Sequence, residues 1–113
     1  MAEQTLSEGG WTGLGYDIDG GWSIVDRDSK RYIVFDENFD TKNGPDLKVY
    51  LSKKSVNTVQ GRTVVKSSIE ISPLKSASGT QEYEIPADVE LDDFKSLLIH
   101  CEAYSHLWGG SDL

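Results

Sequence analysis

Sulfur is scarce in this sequence. Among its 113 residues there are one cysteine and one methionine, and the methionine is residue 1. A single cysteine cannot close a disulfide bond within the chain, which excludes a small secreted fold held together by disulfides. The thiol of Cys101 is therefore free or bonded to another chain, and any redox chemistry of sulfur depends on it.

Positive charge is scarce too, because eleven Lys and Arg residues stand against nineteen Asp and Glu residues, a formal charge of -8 at pH 7. Such a surface repels nucleic-acid phosphates and anionic lipid headgroups. We therefore expect neither nucleic acid nor a membrane as a partner. The surplus carboxylates keep a small domain soluble and by themselves identify no partner.

Long apolar runs are missing, since no stretch approaches the roughly eighteen residues that a membrane-spanning helix needs. The first eight residues, MAEQTLSE, have neither the basic start nor the apolar segment of a secretory signal. The chain as written is expected to be cytoplasmic, or secreted or periplasmic if a leader has been removed.

Common enzyme motifs are also missing. The sequence has no Gly-rich phosphate loop, no Gly-x-Ser-x-Gly string and no His-Glu-x-x-His string. Hydrolase and nucleotide-dependent activities therefore have no support, and we favour a protein that is not an enzyme.

Aromatic residues are plentiful, with three Trp, five Tyr and three Phe in a chain that is 37% hydrophobic. A chain of this length buries about 65% of its unfolded surface, which is enough for one core. Residues 1–9 are polar and are interpreted as a flexible lead-in, and residues 10–113 as one domain.

Short β-rich runs separated by turn residues occupy most of that domain. The runs span residues 11–16, 22–25, 31–35, 47–51, 64–71 and 82–85. Ile33 and Phe35 alternate with Tyr32 and Val34, as in a strand with one face in a core. The pattern predicts a mainly β fold, a single antiparallel β-sandwich or flattened barrel.

The last third of the sequence is compatible with two structures. Apolar residues from Leu91 to Tyr104 recur at three- and four-residue steps, which is typical of an amphipathic helix. The alternative is at most a short helical turn near 88–95, then a buried strand at 96–102 and another at 104–108. Periodicity alone does not decide between them for so short an apolar run.

Three segments resemble the DM-thirteen domain family, which is labelled "electron-transfer". The first is FDTKNGPDLKVYLS at 39–52, with its specific Gly-Pro-Asp-Leu-x-Val-Tyr-Leu-Ser string. The second is LKSASGTQEYEIP at 74–86, and the third is the SLLIHCE block at 96–102 that runs on to the C-terminus. The resemblance spans residues 10–113 in the family's order.

This resemblance implies a mainly antiparallel β fold in which the cysteine block is a strand. It also implies electron transfer at Cys101, as a bare thiol or through a prosthetic group such as haem, with an unknown redox or protein partner. Two positions depart from the family pattern. His100 stands where the family usually has Trp, and His106 stands where it usually has a small apolar residue.

Cys101 has two interpretations. A redox thiol needs nearby positive charge, whereas Glu102 is adjacent and the whole domain is acidic. The alternative is a buried, unreactive cysteine that packs beside Leu97 and Ile99.

His100, Cys101 and His106 have the residue types of a transition-metal or haem site. Successive side chains of a strand point to opposite faces, so His100 and Cys101 diverge. Cys101 and His106 converge only if the chain turns back at residues 103–105. A metal or haem is therefore possible at these residues, but no cofactor is certain.

An acidic turn offers calcium as the alternative ion. Asp36, Asn38 and Asp40 match the first three ligand positions of an EF-hand loop. The sixth position is Thr41 rather than Gly and the twelfth is Leu47 rather than Glu, which favours ordinary turn chemistry.

Two functions follow from these observations. The first is a redox or electron-transfer accessory domain centred on Cys101. The second is a non-catalytic interaction or calcium-binding β module in which the cysteine is structural.

Overall fold

The computed structural model describes residues 3–61 and 64–113, which form eleven strands. In chain order the strands are β1 (Gln4–Gly10), β2 (Thr12–Gly13), β3 (Ile18–Asp19), β4 (Gly21–Arg27), β5 (Lys30–Phe35), β6 (Asp40–Thr41), β7 (Leu47–Ser52), β8 (Ser68–Pro73), β9 (Gln81–Ile85), β10 (Ser96–Cys101) and β11 (His106–Asp112). Helical structure in the described residues includes one turn, α1 (Val64–Ser67), and two 3-10 turns at Leu91–Asp93 and Glu102–Tyr104.

The strands form two main antiparallel sheets that pack face to face without closing into a barrel. The first sheet has the order β1-β4-β5-β9, and the second has the order β2-β11-β10-β7-β8. A small third sheet pairs β3 with β6. The sandwich alternative of the sequence prediction is thereby confirmed.

Buried and more exposed residues alternate along strands of the first sheet, because only one face of that sheet lies against the core. In β9, Gln81, Tyr83 and Ile85 are buried while Glu84 is exposed. In β5, Ile33 and Phe35 point into the space between the sheets. Those side chains belong to the main core, which lies between the sheets and consists of Trp11, Ile18, Trp22, Ile24, Ile33, Phe35, Phe39, Leu47, Val49, Leu51, Tyr83, Ile85, Leu97, Ile99, Cys101 and Trp108.

The second sheet is different because its central strand is buried on both faces. All six residues of β10 are buried. Leu97, Ile99 and Cys101 face the main core, and Leu98 belongs to a second cluster on the other face. This outer core consists of Tyr50, Val59, Val64 and Leu98, with Val56 and Leu107 packed against it.

The cysteine block is a strand, as the family resemblance implied, and the helical alternative is wrong. The expected short turn is present at Leu91–Asp93. A helix is incompatible with β10 because its backbone pairs with β7 on one side and with β11 on the other.

Three segments differ from the sequence-based expectation. The run at 64–71 is not one strand, because Val64–Ser67 forms α1 and brings Val64 into the outer core before β8 begins. The run at 11–16 is a strand only at Thr12–Gly13. Gln4–Gly10, which overlaps the lead-in expected at residues 1–9, pairs with β4 as an edge strand, and Gly9 lies against the Trp22 indole.

No helix among the described residues is long and apolar enough to cross a membrane.

Candidate functional site

Cys101 is the last residue of β10 and is completely buried. It lies opposite Leu47 of β7 and opposite His106 of β11. Its side chain belongs to the main core with Ile99 and Trp108. The only thiol of the protein is therefore enclosed in apolar surroundings at one end of the sandwich.

The chain turns back immediately after Cys101. The 3-10 turn Glu102–Tyr104 is followed by Ser105 in the left-handed region at φ 49°, and β11 then runs antiparallel to β10. Cys101 and His106 thereby become direct cross-strand neighbours, whose Cβ atoms stand roughly 4.5 to 5.5 Å apart in such a pair. The turn at residues 103–105, which the convergence of Cys101 and His106 requires, is therefore present.

The ring of His106 is exposed and lies beside two other aromatic rings. Its centroid is 5.8 Å from that of Tyr16 and 6.0 Å from that of Trp108, both edge-to-face. Tyr16 and Trp108 are in closer contact, with centroids 4.0 Å apart and ring planes 34° apart. The cross-strand neighbour of Cys101 therefore belongs to a cluster of three aromatic side chains.

A β-bulge lies in β11 at the point where Trp108 enters the main core. Ile99 pairs with Gly109 and His100 pairs with Leu107, so Trp108 is the extra residue on β11. The buried indole donates its Nε1–H to the carbonyl oxygen of Lys42 at 3.0 Å. Leu107 packs against the outer core, so alternation along β11 places Trp108 on the main-core face, and the bulge leaves Gly109 on that face as well.

His100 lies on the opposite face of β10 from Cys101 and is 1% exposed. Its ring packs edge-to-face on Tyr50 at 5.7 Å, and its Nδ1 has no hydrogen-bond partner among the described residues. Burial lowers the pKa of His100, an effect that the carboxylate of Glu102 opposes and His106 reinforces. Burial beside the outer core therefore favours the neutral form of this imidazole.

The three residues considered for a metal or haem are thus only partly brought together. His106 is a neighbour of Cys101, whereas His100 is on the other side of the sheet. Within residues 3–61 and 64–113, no three His, Cys, Asp or Glu side chains gather closely enough to hold a metal ion. His100, Cys101 and His106 therefore do not form a three-ligand metal site.

In the acidic turn at residues 36–40, the first carboxylate, that of Asp36, accepts hydrogen bonds from backbone N–H groups. Asp36 accepts the N–H of Gly21 at 2.9 Å through Oδ2 and the N–H of Asn38 at 3.0 Å through Oδ1. Asp40 lies in β6, where it pairs with Asp19. In the described part of the chain these residues do not form a three-ligand calcium group.

An ion cluster that sequence reasoning missed stabilises the turn after Cys101. The Lys48 ammonium contacts the carboxylate of Glu102 directly and lies 3.5 Å from that of Glu70 and 3.9 Å from that of Asp46. The hydrogen bond raises the pKa of Lys48 and lowers that of Glu102. The Glu102 N–H also donates to the Asp46 carbonyl at 3.1 Å. No local motif in the sequence indicates this cluster, because its members come from two strands, β7 and β8, and from two turns that are far apart in the chain.

The buried imidazole of His100 leads to a prediction about pH. Since its pKa is lower in the folded state than the ordinary 6.5, the unfolded chain binds the proton more readily. The free energy of unfolding is then highest above pH 6.5 and falls as the pH decreases below it, by at most about 1.4 kcal/mol per pH unit. Urea unfolding between pH 5 and 8 measures this slope.

The control for this prediction is the other histidine. His100→Gln is expected to flatten the pH dependence more than His106→Gln does, because burial, the largest cause of the lowered pKa of His100, remains when His106 is replaced. A slope that survives in His100→Gln would assign the pH dependence to another group.

These features define a class of protein: a two-sheet antiparallel β-sandwich with one buried cysteine beside a histidine and two aromatic rings. A family model described as "Electron transfer DM13" matches residues 12–111. The chain belongs to the DM13 electron-transfer domain family. No curated protein and no solved structure matches it.

Proposed function

We propose that this chain is a non-enzymatic electron-transfer accessory domain in which the thiol of Cys101 is the redox centre and His106 accepts its proton. The observation that carries the proposal is the register of β10 and β11, which makes His106 the direct cross-strand neighbour of Cys101. The family description supports an electron-transfer role in general terms.

A neutral thiol gives up an electron far more readily when its proton leaves at the same time. A high-potential acceptor protein takes one electron from the sulfur of Cys101, the S–H bond breaks, and the proton passes to the imidazole of His106. The products are a thiyl radical, an imidazolium and the reduced acceptor. Imidazole suits this role because it takes up protons near neutral pH.

Complete burial of Cys101 decides which kind of redox chemistry is available. A disulfide partner or a bulky oxidant cannot reach the sulfur, so thiol–disulfide exchange is disfavoured. An electron needs no such access. The site therefore suits electron transfer without atom transfer.

Light-driven oxidation tests the proposal. A photogenerated ruthenium(III) tris-bipyridine cation, with a cobalt(III) ammine as the final oxidant, is attracted to the acidic surface but is too large to enter the core. Under air, dioxygen traps the thiyl radical, and Cys101 then fails to react with maleimide after unfolding. We expect the thiol to be lost, and to be lost at least about tenfold more slowly in His106→Gln.

His100→Gln is the matched control, because that imidazole lies on the other face of β10. It is expected to lose its thiol at the rate of the unaltered protein, with thermal melting used to check that both variants fold. A thiol that remains intact throughout would favour an interaction module with a structural cysteine. Equal rates in His106→Gln and the unaltered protein would remove the proton-accepting role.

A further inference from the structure

Tyr16 and Trp108 connect the surface with the main core. Tyr16 is 37% exposed and Trp108 is 4% exposed. Their ring centroids lie 4.0 Å apart. Trp108 and Cys101 belong to the same buried cluster. Electronic coupling falls steeply with distance, so two rings in contact conduct an electron far better than the backbone around them.

The stack is held in place by the main chain. The N–H groups of Leu14, Gly15 and Tyr16 all point to the carbonyl oxygen of Trp108, at 3.1, 3.0 and 3.4 Å. Gly15 also permits close approach to His106, since an added Cβ would lie 2.3 Å from its Nε2. These three backbone hydrogen bonds hold the main chain at Tyr16 beside the indole.

The positive charge beside the Tyr16 ring favours oxidation of the phenol with loss of its proton. The Lys42 ammonium lies 5.3 Å from the centroid of Tyr16, and a cation over the ring disfavours a positively charged radical. An exposed phenol can instead release its proton to water and become a neutral radical. The carbonyl of the same Lys42 holds the indole Nε1–H of Trp108, so the inner ring keeps its proton.

We infer that Tyr16 and Trp108 form a two-step electron relay between Cys101 and the surface, with Tyr16 as the point at which an external oxidant withdraws the electron. The inference rests on the proposed function, because it takes Cys101 as the source of the electron.

Atoms and electrons balance at each step of the relay. A one-electron oxidant takes an electron from Tyr16, and the phenol proton goes to water. Trp108 then reduces the tyrosyl radical, which takes a proton back from water. Finally Cys101 reduces the Trp108 radical cation, and the thiol proton passes to His106. The net change is one electron to the oxidant and one proton from sulfur to imidazole.

Phenylalanine substitutions test the relay in the ruthenium experiment, because they keep a ring and remove the easily oxidised group. Tyr16→Phe and Trp108→Phe are each expected to slow the loss of the Cys101 thiol at least about tenfold. Flash photolysis of Trp108→Phe is expected to show a tyrosyl radical that outlives the one in the unaltered protein. Tyr104→Phe, at a tyrosine that is 71% exposed, is the matched control and is expected to change neither readout.

The outcomes separate the relay from the proposed function. If the thiol is lost at one rate in the unaltered protein and in all three variants, Cys101 remains a redox centre and the relay is wrong. If the thiol persists in every chain, the proposed function fails and takes the relay with it. Trp108 is buried, so Tyr16→Phe decides the question if Trp108→Phe proves unfolded by its melting curve.

Discussion

Phe35→Ala is expected to lower the free energy of unfolding by about 3 to 5 kcal/mol, because it removes a fully buried aromatic side chain and leaves a cavity. Phe35 lies at the centre of the aromatic part of the main core. Its ring centroid is 5.0 Å from that of Trp11, 4.7 Å from that of Phe39 and 5.2 Å from that of Tyr83. Few substitutions in this chain remove so many ring contacts at once.

Equilibrium denaturation in urea measures this loss, with Tyr104→Ala as the control at an exposed ring. Domains of this kind are stable by roughly 5 to 15 kcal/mol, so the Phe35→Ala variant keeps only part of its stability. A loss below about 1 kcal/mol would mean that the two sheets collapse onto the vacated space.

Strands β5 and β9 of the first sheet were predictable from the sequence because they have one face in the core. In β5, Ile33 and Phe35 are buried and their neighbours are less so, which is the alternation that local pattern detects. In β9, Tyr83 and Ile85 behave in the same way. When one face of a strand is exposed to water, the alternation of apolar and polar residues shows which side chains face the core.

The strand at β10 could not be assigned from its own pattern. Main core and outer core cover its two faces, so every residue is buried and no alternation remains. The apolar residues then satisfy a helical period equally well. Family resemblance resolved the ambiguity because it implied a strand for the cysteine block, and the structure shows that strand paired with β7 and β11.

The candidate site shows the same division between local and long-range information. Cys101 and the requirement for a turn at 103–105 were visible in the sequence. The bulge at Trp108 was not, because it depends on the register between two strands. Tyr16 was missed for the same reason, since its loop is placed by the Trp108 carbonyl rather than by its own residues.

Cys101→Ser is expected to destabilise the fold by about 1 to 3 kcal/mol, since it places a hydroxyl in the apolar main core. Cys101→Ala is expected to cost less, because it loses only the packing of the sulfur. The two changes have similar size and differ in polarity. Their comparison in urea denaturation therefore measures how apolar the surroundings of the sulfur are.

Thiol labelling completes this test, because burial and redox function make separate demands on Cys101. A completely buried thiol is expected to react slowly with a maleimide in the folded protein, at a rate set by opening of the structure. Electron transfer through neighbouring rings does not require that opening. Slow labelling together with light-driven loss of the thiol would satisfy both demands. Rapid labelling at neutral pH, with Cys101→Ser as stable as the unaltered protein, would contradict the burial on which both arguments depend.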